Sequence, residues 1–222
     1  MQFEKSEGTA GLERALLAAL NESLTQQRKV LWLIPGGSNI AIAVAVMDNI
    51  AAELTAHLTV MLTDERYGSP GHPDSNYAQL IKAGFDPSSA RFKDMLTGQD
   101  FDTTVQNAED AYARAFTDAE HIIGFFGMGA DGHTAGILPQ SPAATADEKW
   151  VVGYDAGTYR RITLTPFALS HVKEAFAGAF GPEKMPALQR LRDEMVPLYE
   201  QPAQIFRHLP SVTIFNNQIG AL

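Results

Sequence analysis

The residues most able to do chemistry lie in one glycine-rich stretch, Gly127-Met128-Gly129-Ala130-Asp131-Gly132-His133. Three glycines in so short a run, directly after an apolar segment, indicate a backbone that folds tightly and approaches a ligand. Asp131 and His133 flank Gly132, so both side chains can face one cleft. Histidine suits general-base catalysis near neutral pH, and a nearby carboxylate can orient its ring. The alternative is a histidine that is hydrogen-bonded in a purely structural loop.

A metal centre is less consistent with the same residues. His133 has no histidine four positions later, and the spacing of the other five histidines does not match that of metal ligands. The chain has no cysteine, which excludes a thiol nucleophile, a zinc–thiolate site, an iron–sulfur cluster and any disulfide. We therefore expect no metal site.

A second motif, Gly36-Gly37-Ser38, follows the apolar run Val30–Ile34 and precedes a helical stretch. Glycines let a backbone come close to a phosphate, and the N-terminus of the next helix offers free N–H groups. Ser38 could cap that helix or donate its hydroxyl to a phosphate. The lysine and the spacing of a P-loop are absent. The alternative is an ordinary tight turn between a strand and a helix.

A third motif, Asp64-Glu65-Arg66, follows the apolar run Leu58–Leu62. Arg66 could bind an anion or a developing oxyanion, held in place by a charge-assisted hydrogen bond to Asp64 or Glu65. Three adjacent charges can also form a solvated turn.

The charge of the chain constrains its partners. With 17 Lys and Arg against 26 Asp and Glu, the formal net charge is −9, which makes nucleic acid an unlikely partner. An anionic substrate would need cations that are concentrated in one place. Arg160, Arg161 and Lys184 flank predicted loops and could supply them, with the choice between the two arginines left open.

The elements around these motifs indicate an α/β fold with a mostly parallel sheet and helices on both faces. In such sheets ligands bind at the carboxyl ends of strands, which is where the three motifs fall. We predict one domain over residues 1–222, with a flexible loop over 140–149. Helices are predicted over 10–27, 39–58, 75–83, 104–119 and from Pro182, and strands over 30–34, 58–62, 91–96, 122–126, 150–154, 161–164, 175–180 and 211–215.

The N-terminus lacks the pattern of a signal peptide, and no apolar run approaches the ~18 residues of a membrane span. We therefore expect a soluble, cytoplasmic protein with no membrane partner, either a monomer or a small homo-oligomer.

Five blocks of the chain together resemble the bacterial-type 6-phosphogluconolactonases. In order they are PGGSN, LTDERYGSPGHPDSNYAQL, FGMGADGHTAGILPQSP, RITLTPFAL and GPEKMPAL. The resemblance implies a Rossmann-like α/β fold that is shared with glucosamine-6-phosphate deaminases. It also implies hydrolysis of 6-phosphoglucono-δ-lactone in the oxidative pentose phosphate pathway, without metal or cofactor.

The resemblance also implies roles for individual residues. His133 is expected to be the general base that activates water, and Asp131 is expected to support it. Arg66 is expected to be a catalytic cation near the lactone, with Asp64 beside it. The phosphate cradle is expected to contain Gly36, Gly37 and Ser38, completed by Arg161 and Lys184.

The chain departs from the family pattern at two places, since Asn39-Ile40 stands where Thr-Pro is expected and GILPQ replaces SLFP. An amino-sugar-phosphate isomerase or deaminase is one alternative, but that chemistry uses a glutamate five residues after the histidine, where this chain has Leu138. A sugar-phosphate sensor without catalysis is another. It would normally carry a basic DNA-binding segment, which is absent, and would not need the Asp131–His133 pair.

Overall fold

The computed structural model describes residues 1–220 and contains a six-stranded parallel sheet with helices on both faces. The strand order is β1-β9-β8-β5-β2-β3, and every neighbouring pair in it is parallel. The strands are β1 Gln2–Lys5, β2 Val30–Ile34, β3 Leu58–Leu62, β5 His121–Gly127, β8 Glu174–Ala179 and β9 Ser211–Asn216. The predicted fold class is confirmed.

A second sheet is small and antiparallel. It has the order β4-β7-β6, from β4 Asp64–Arg66, β6 Val151–Asp155 and β7 Arg160–Leu164. Only Thr63 separates β3 from β4, so the chain passes directly from the large sheet into the small one. This places the Asp64–Arg66 motif inside a strand, where the sequence predicted the end of one.

The helices divide the apolar side chains between two clusters. The helices are α1 Ala10–Thr25, α2 Ile40–Met47, α3 Asn76–Lys82, α4 Phe101–Asp118, α5 Pro166–Leu169 and α6 Met185–Asp193. One face of the large sheet packs against α1, α2 and α3, and the other against α4, α5 and α6. All five residues of β2 are buried, as expected for a central strand that is covered on both faces.

Three predicted elements are wrong. The helix predicted over 39–58 is α2, a turn at 48–50 and a 3₁₀ helix at Ala52–His57. The strand predicted over 91–96 is reduced to a single bridge between Arg91 and Thr59. The loop predicted over 140–149 contains the 3₁₀ helix Pro142–Thr145, in which Ala143 and Ala144 are buried. The predicted helices missed α5 and the predicted strands missed β1.

None of the helices within residues 1–220 combines the length and the apolar character that crossing a membrane requires.

Candidate active site

A cavity of about 350 Å³ opens at the carboxyl ends of the large sheet. It lies where the chain order reverses, because β3 follows β2 on one side while β5 pairs with β2 on the other. Ligands of open α/β sheets bind at such a switch point. The cavity brings together every predicted site residue except Asp131: Gly36, Gly37, Ser38, Asp64, Arg66, His133, Arg161 and Lys184.

Asp131 lies behind His133, in contact with its ring. Its Oδ1 is 2.6 Å from Nδ1 of His133 and also accepts the backbone N–H of His133 at 3.0 Å. The side chains are 52% and 35% exposed, so the pair lies at the mouth of the cavity. Since the carboxylate engages Nδ1, Nε2 is the ring nitrogen left for a ligand or a water molecule.

The hydrogen bonds from His133 keep the carboxyl group of Asp131 ionised. Partial burial raises the pKa of its carboxyl, but the hydrogen bonds from the ring and backbone of His133 outweigh it and lower the pKa to about 2. Asp131 is therefore ionised at neutral pH and accepts a hydrogen bond from the Nδ1–H group of His133. This fixes the tautomer in which Nε2 carries the free lone pair.

The loop before His133 needs a glycine at position 129. A Cβ there would overlap Nδ1 of His133 and press on Oδ1 of Asp131. The N–H of Gly129 donates to the carbonyl of His133 at 2.9 Å, and that of Gly132 donates to the carbonyl of Gly129 at 3.0 Å. The glycine spacing predicted a backbone that comes close to a ligand. In the structure, the backbone at Gly129 lies close to the side chains of His133 and Asp131.

Asp64 bonds to Arg161, and the expected bond to Arg66 is wrong. Its Oδ2 accepts from Nη1 of Arg161 at 3.1 Å, with the two side chains 8% and 17% exposed. The two residues come close because β4 pairs with β7: Asp64 lies opposite Thr163, and Arg161 is two positions from Thr163 on the same face of β7. An anionic ligand would therefore meet the arginine of this pair, with Asp64 as the group that orients it.

Arg66 is held by a backbone carbonyl and an aromatic ring. Its Nη1 donates to the carbonyl of Asp74 at 3.1 Å, and its guanidinium lies 5.6 Å from the centre of the Tyr159 ring. A guanidinium has five N–H donors, so this anchoring leaves donors for a ligand. Arg66, Arg161 and Lys184 give the cavity three cations against the single carboxylate of Asp64 among its lining residues.

Glu65 has a structural role that the sequence did not predict. It is fully buried, and its carboxylate accepts from the backbone N–H groups of Arg66, Asn76 and Tyr77 and from the hydroxyl of Ser75. Burial raises the pKa of Glu65, and these four donors counteract the rise. Glu65 thereby ties the start of α3 to β4 and does not face the cavity.

The Gly36-Gly37-Ser38 turn forms one wall of the cavity. A Cβ at Gly36 would overlap the side-chain amide of Asn76, so only glycine fits there. A 3₁₀ turn, Gly37–Asn39, then leads into α2 without a side-chain cap. The suggestion that Ser38 caps the helix is therefore wrong, and the exposed Ser38 lines the cavity.

The two neighbouring arginines of β7 lie in different surroundings. Arg161 lines the cavity, whereas the guanidinium of Arg160 lies 3.4 Å from the centre of the Phe101 ring and near Asp102. The alternation of side chains along a strand explains the difference. Lys184, 21% exposed, also lines the cavity and lies 3.8 Å from Glu183.

Sequence reasoning missed three polar residues of the cavity, Thr9, Asn39 and Asn76. Asn39 was noted only as a departure from the family pattern, yet it is 6% exposed and fills the space between Gly127 and Gly178. Asn76 donates to the carbonyl of Asp64 at 2.9 Å, and its Oδ1 is buried without a partner among residues 1–220. The sequence could not show that Asn76 belongs to the site, because Asn76 is distant in sequence from the Gly36 turn that it contacts.

Within the described part of the chain, no three side chains of His, Asp or Glu converge as metal ligands would.

Comparison with known proteins shows extended similarity in sequence and fold. The family described as glucosamine-6-phosphate isomerases/6-phosphogluconolactonase matches residues 4–214. A 6-phosphogluconolactonase of Xylella fastidiosa is 28% identical over 195 residues, 82% of this chain and 80% of that one. One of Synechocystis is 31% identical over 134 residues, so this chain spans only 56% of its length.

A solved structure gives the same result for the fold. The 6-phosphogluconolactonase of Thermotoga maritima superposes with a TM-score of 0.79 at 20% identity, covering 96% of this chain and 97% of that one.

Proposed function

The chain belongs to the family of glucosamine-6-phosphate isomerases and 6-phosphogluconolactonases, and from this we propose that it hydrolyses 6-phospho-D-glucono-1,5-lactone to 6-phospho-D-gluconate. We place the reaction in the cytoplasm, in the oxidative pentose phosphate pathway, with neither metal nor cofactor. The observation that carries the proposal is the His133–Asp131 pair at the mouth of a cavity that also holds three cations.

The phosphate of the substrate binds away from the reacting carbonyl. Gly36, Gly37 and Ser38 offer backbone N–H groups and a hydroxyl, and the cations of Lys184 and Arg161 stand near them in the same cavity. In a chain with a net charge of −9, this local excess of cations is what an anionic substrate requires. Binding energy from the phosphate then fixes the orientation of the lactone ring.

His133 acts as the general base. With Nδ1–H donating to the ionised Asp131, Nε2 takes a proton from water as the water oxygen attacks the lactone carbonyl. Opening of the ring passes that proton to the departing ring oxygen. A δ-lactone is reactive enough that no covalent nucleophile on the protein is needed.

The tetrahedral oxyanion needs a donor close to the carbonyl. Arg66 lines the cavity and is anchored through Asp74, so it can meet the developing charge without reorganising. Backbone N–H groups of the glycine loop are the other available donors. Loss of one such donor costs on the order of 3 kcal/mol in other enzymes.

One observation favours the lactonase over the amino-sugar isomerase of the same family. The isomerase chemistry expects a carboxylate five residues after the histidine, and Leu138 occupies that position and does not line the cavity. The acid needed to move protons on an open-chain amino sugar is therefore missing there.

The test is hydrolysis of lactone generated in situ, with a chelator present and the spontaneous rate subtracted. Wild-type protein should accelerate hydrolysis, and His133→Asn should lose on the order of a thousandfold in kcat because it removes the base. His171→Asn is a matched control, since His171 packs against Phe116 and Trp150 outside the cavity.

Each result has a definite meaning. Chelator-insensitive turnover that is lost only in His133→Asn would support both the reaction and the base. Loss of wild-type activity with chelator would refute metal independence. No acceleration by the wild type would refute the lactonase proposal, and full activity in His133→Asn would refute the role of His133.

A further inference from the structure

A second cavity, of about 650 Å³, lies on the other side of the large sheet from α1. It is bounded by α4, by the β2 and β3 strands and by the segment 91–95 that runs beside β3. We call it the α4–β3 groove. It shares no lining residue with the cavity of His133. The proposed reaction makes no use of it.

The groove exists because the side chains at its floor are small. Ala111 and Ala115 lie four residues apart on one face of α4, which points to the groove, and Ala119 follows directly after the end of the helix. Met61 and Met95 add flexible apolar surface opposite them. β3 is the edge strand of the large sheet, and the segment 91–95 borders the groove beyond it. The floor is therefore apolar and partly open.

The rim of the groove is strongly cationic. Lys29, Arg91, Lys93 and Arg114 line it, with His57 beside them, and Asp118 is the only carboxylate among the lining residues. No acidic side chain within residues 1–220 lies in salt-bridge distance of these four cations. The chain has only 17 Lys and Arg and a net charge of −9. The four unpaired cations therefore make the rim of the groove positive, although the chain as a whole is negative.

The size and shape of the groove fit a small molecule. Small-molecule sites are concave, of about 300–1,000 Å³, mostly apolar, with a few polar groups that fix orientation. The apolar floor suits a flat ring system, and the cations suit acidic groups at its edge. Tyr112 also lines the groove, and its hydroxyl donates to the carbonyl of Leu62, two residues before Asp64. The groove thus contacts the strand that leads into the catalytic cavity.

We propose that the α4–β3 groove is a binding site for a small anion with a flat apolar body, such as an aromatic carboxylate, sulfonate or phosphate. The apolar body rests on the alanine and methionine floor, and the acidic groups meet Lys93, Arg91 and Arg114. The proposal does not depend on the lactonase reaction.

The probe is anilinonaphthalene sulfonate, a flat apolar dye with one acidic group whose fluorescence rises in apolar surroundings. We expect saturable binding at one site per folded chain. Inorganic sulfate lacks the apolar body and N-phenylnaphthylamine lacks the charge, so each should bind about tenfold more weakly or worse. The product 6-phosphogluconate should not displace the dye.

Two variants test the location of the site. Lys93→Glu/Arg114→Glu reverses two exposed rim charges and should weaken dye binding by about tenfold or more. Ala115→Trp fills the floor and should abolish binding. The matched control is Arg14→Glu/Lys82→Glu, which makes the same change in net charge at exposed residues outside both cavities and should bind the dye as the wild type does.

Several outcomes would overturn the proposal. Unchanged dye affinity in both groove variants would do so, as would displacement of the dye by 6-phosphogluconate, which would place it in the catalytic cavity. Equal affinity for the neutral N-phenylnaphthylamine would show that the rim cations do not contribute to binding. If sedimentation showed a dimer that Ala115→Trp converts to a monomer, the groove would be an interface between copies of the chain. The circular dichroism of the charge-reversal variant, whose two sites are exposed, verifies that it is folded.

Discussion

His133 and Asp131 can form a pair because two nearby glycines leave room for it. Gly132 lies between them, and Gly129 lies two residues before Asp131. Gly132 has a φ of +82°, which turns the chain so that both neighbours face the same side. Gly129 lies directly under the imidazole ring. The position of the proposed base is therefore determined by backbone shape as much as by its own side chain.

Gly129→Ala should inactivate the protein without unfolding it. The added Cβ would overlap the His133 ring, which is free to swing away, so we expect kcat to fall about a hundredfold. The thermal midpoint should change by only about 2–4 °C. Steady-state kinetics and thermal unfolding on the same preparation measure both.

Gly8→Ala is the matched control, because a Cβ there meets nothing within 4 Å. Wild-type kcat in Gly129→Ala would show that the placement of the ring does not matter to catalysis.

Asp131→Asn should change the dependence of stability on pH. The pKa of Asp131 is lowered to about 2 in the folded protein, so its carboxylate stabilises the fold above its usual pKa of about 4 and loses that effect as the pH falls toward 2. The difference in urea midpoint between wild type and variant should be largest near neutral pH and should shrink below about pH 4.

Asp48→Asn serves as the comparison, since Asp48 is exposed at the end of α2 and does not line the cavity. Because Asp131 is itself half exposed, solvent screening keeps the effect small. A difference that grows as the pH falls would contradict the assigned cause.

For single residues, the sequence predicted which side chains belong to the site better than it predicted their hydrogen-bond partners. The glycine-rich stretch singled out Asp131 and His133, and the position of Arg66 after an apolar run predicted that it lies at the same edge of the sheet. The pairing of Asp64 with Arg161 was not predictable from local sequence, because it depends on a strand about a hundred residues away, and charge adjacency wrongly favoured Arg66.

Among the elements, β4 and α3 depend on one buried carboxylate. Ser75 caps α3 through its own hydroxyl, which accepts from the N–H of Ala78 while donating to Glu65. The next two N–H groups of the helix also point to Glu65. The negative charge at this helix start is favourable because the N-terminal N–H groups lack partners within the helix.

Glu65→Gln should destabilise the protein by about 2–4 kcal/mol in its free energy of unfolding. Both carboxylate oxygens accept two donors, so an amide NH₂ in place of either would face donors and leave them unpaired. Urea unfolding measures the change, and Glu53→Gln, at an exposed position, is the control. Equal stability of the two variants would show that these hydrogen bonds contribute little.

The errors in the predicted elements have two physical causes. The apolar run over 39–58 indicated one helix, but Asp48 and Asn49 favour turns over helix interiors, and the chain breaks there. β1 has a mostly exposed pattern without alternation and is a strand only because β9 pairs with it. Strands held by long-range pairing give the weakest local signal.

At the scale of the molecule, the two sheets share one apolar cluster. Leu31 and Phe126 of the large sheet pack in the same cluster as Val151, Ile162 and Leu164 of the small sheet. We therefore propose that the chain is one domain, in which neither sheet can lose its packing alone.

The two tryptophans allow a test of that unity, because Trp32 lies in β2 and Trp150 precedes β6. In Trp32→Phe and in Trp150→Phe, the remaining tryptophan reports on one sheet while far-UV circular dichroism reports on the whole. We expect the two signals to give the same urea midpoint within each variant. Separate midpoints would show two independently unfolding units.

The parallel pairing of β1 with β9 sets an order of events during biosynthesis. Gln2 emerges from the ribosome early, but its partner Thr213 emerges only after β2, β3, β5 and β8 have been made. The cavity residues from Gly36 to Lys184 are therefore all outside the ribosome before the sheet can be completed at that edge. A released chain that ended before β9 would contain every residue of the proposed site but would leave the edge of β8 unpaired.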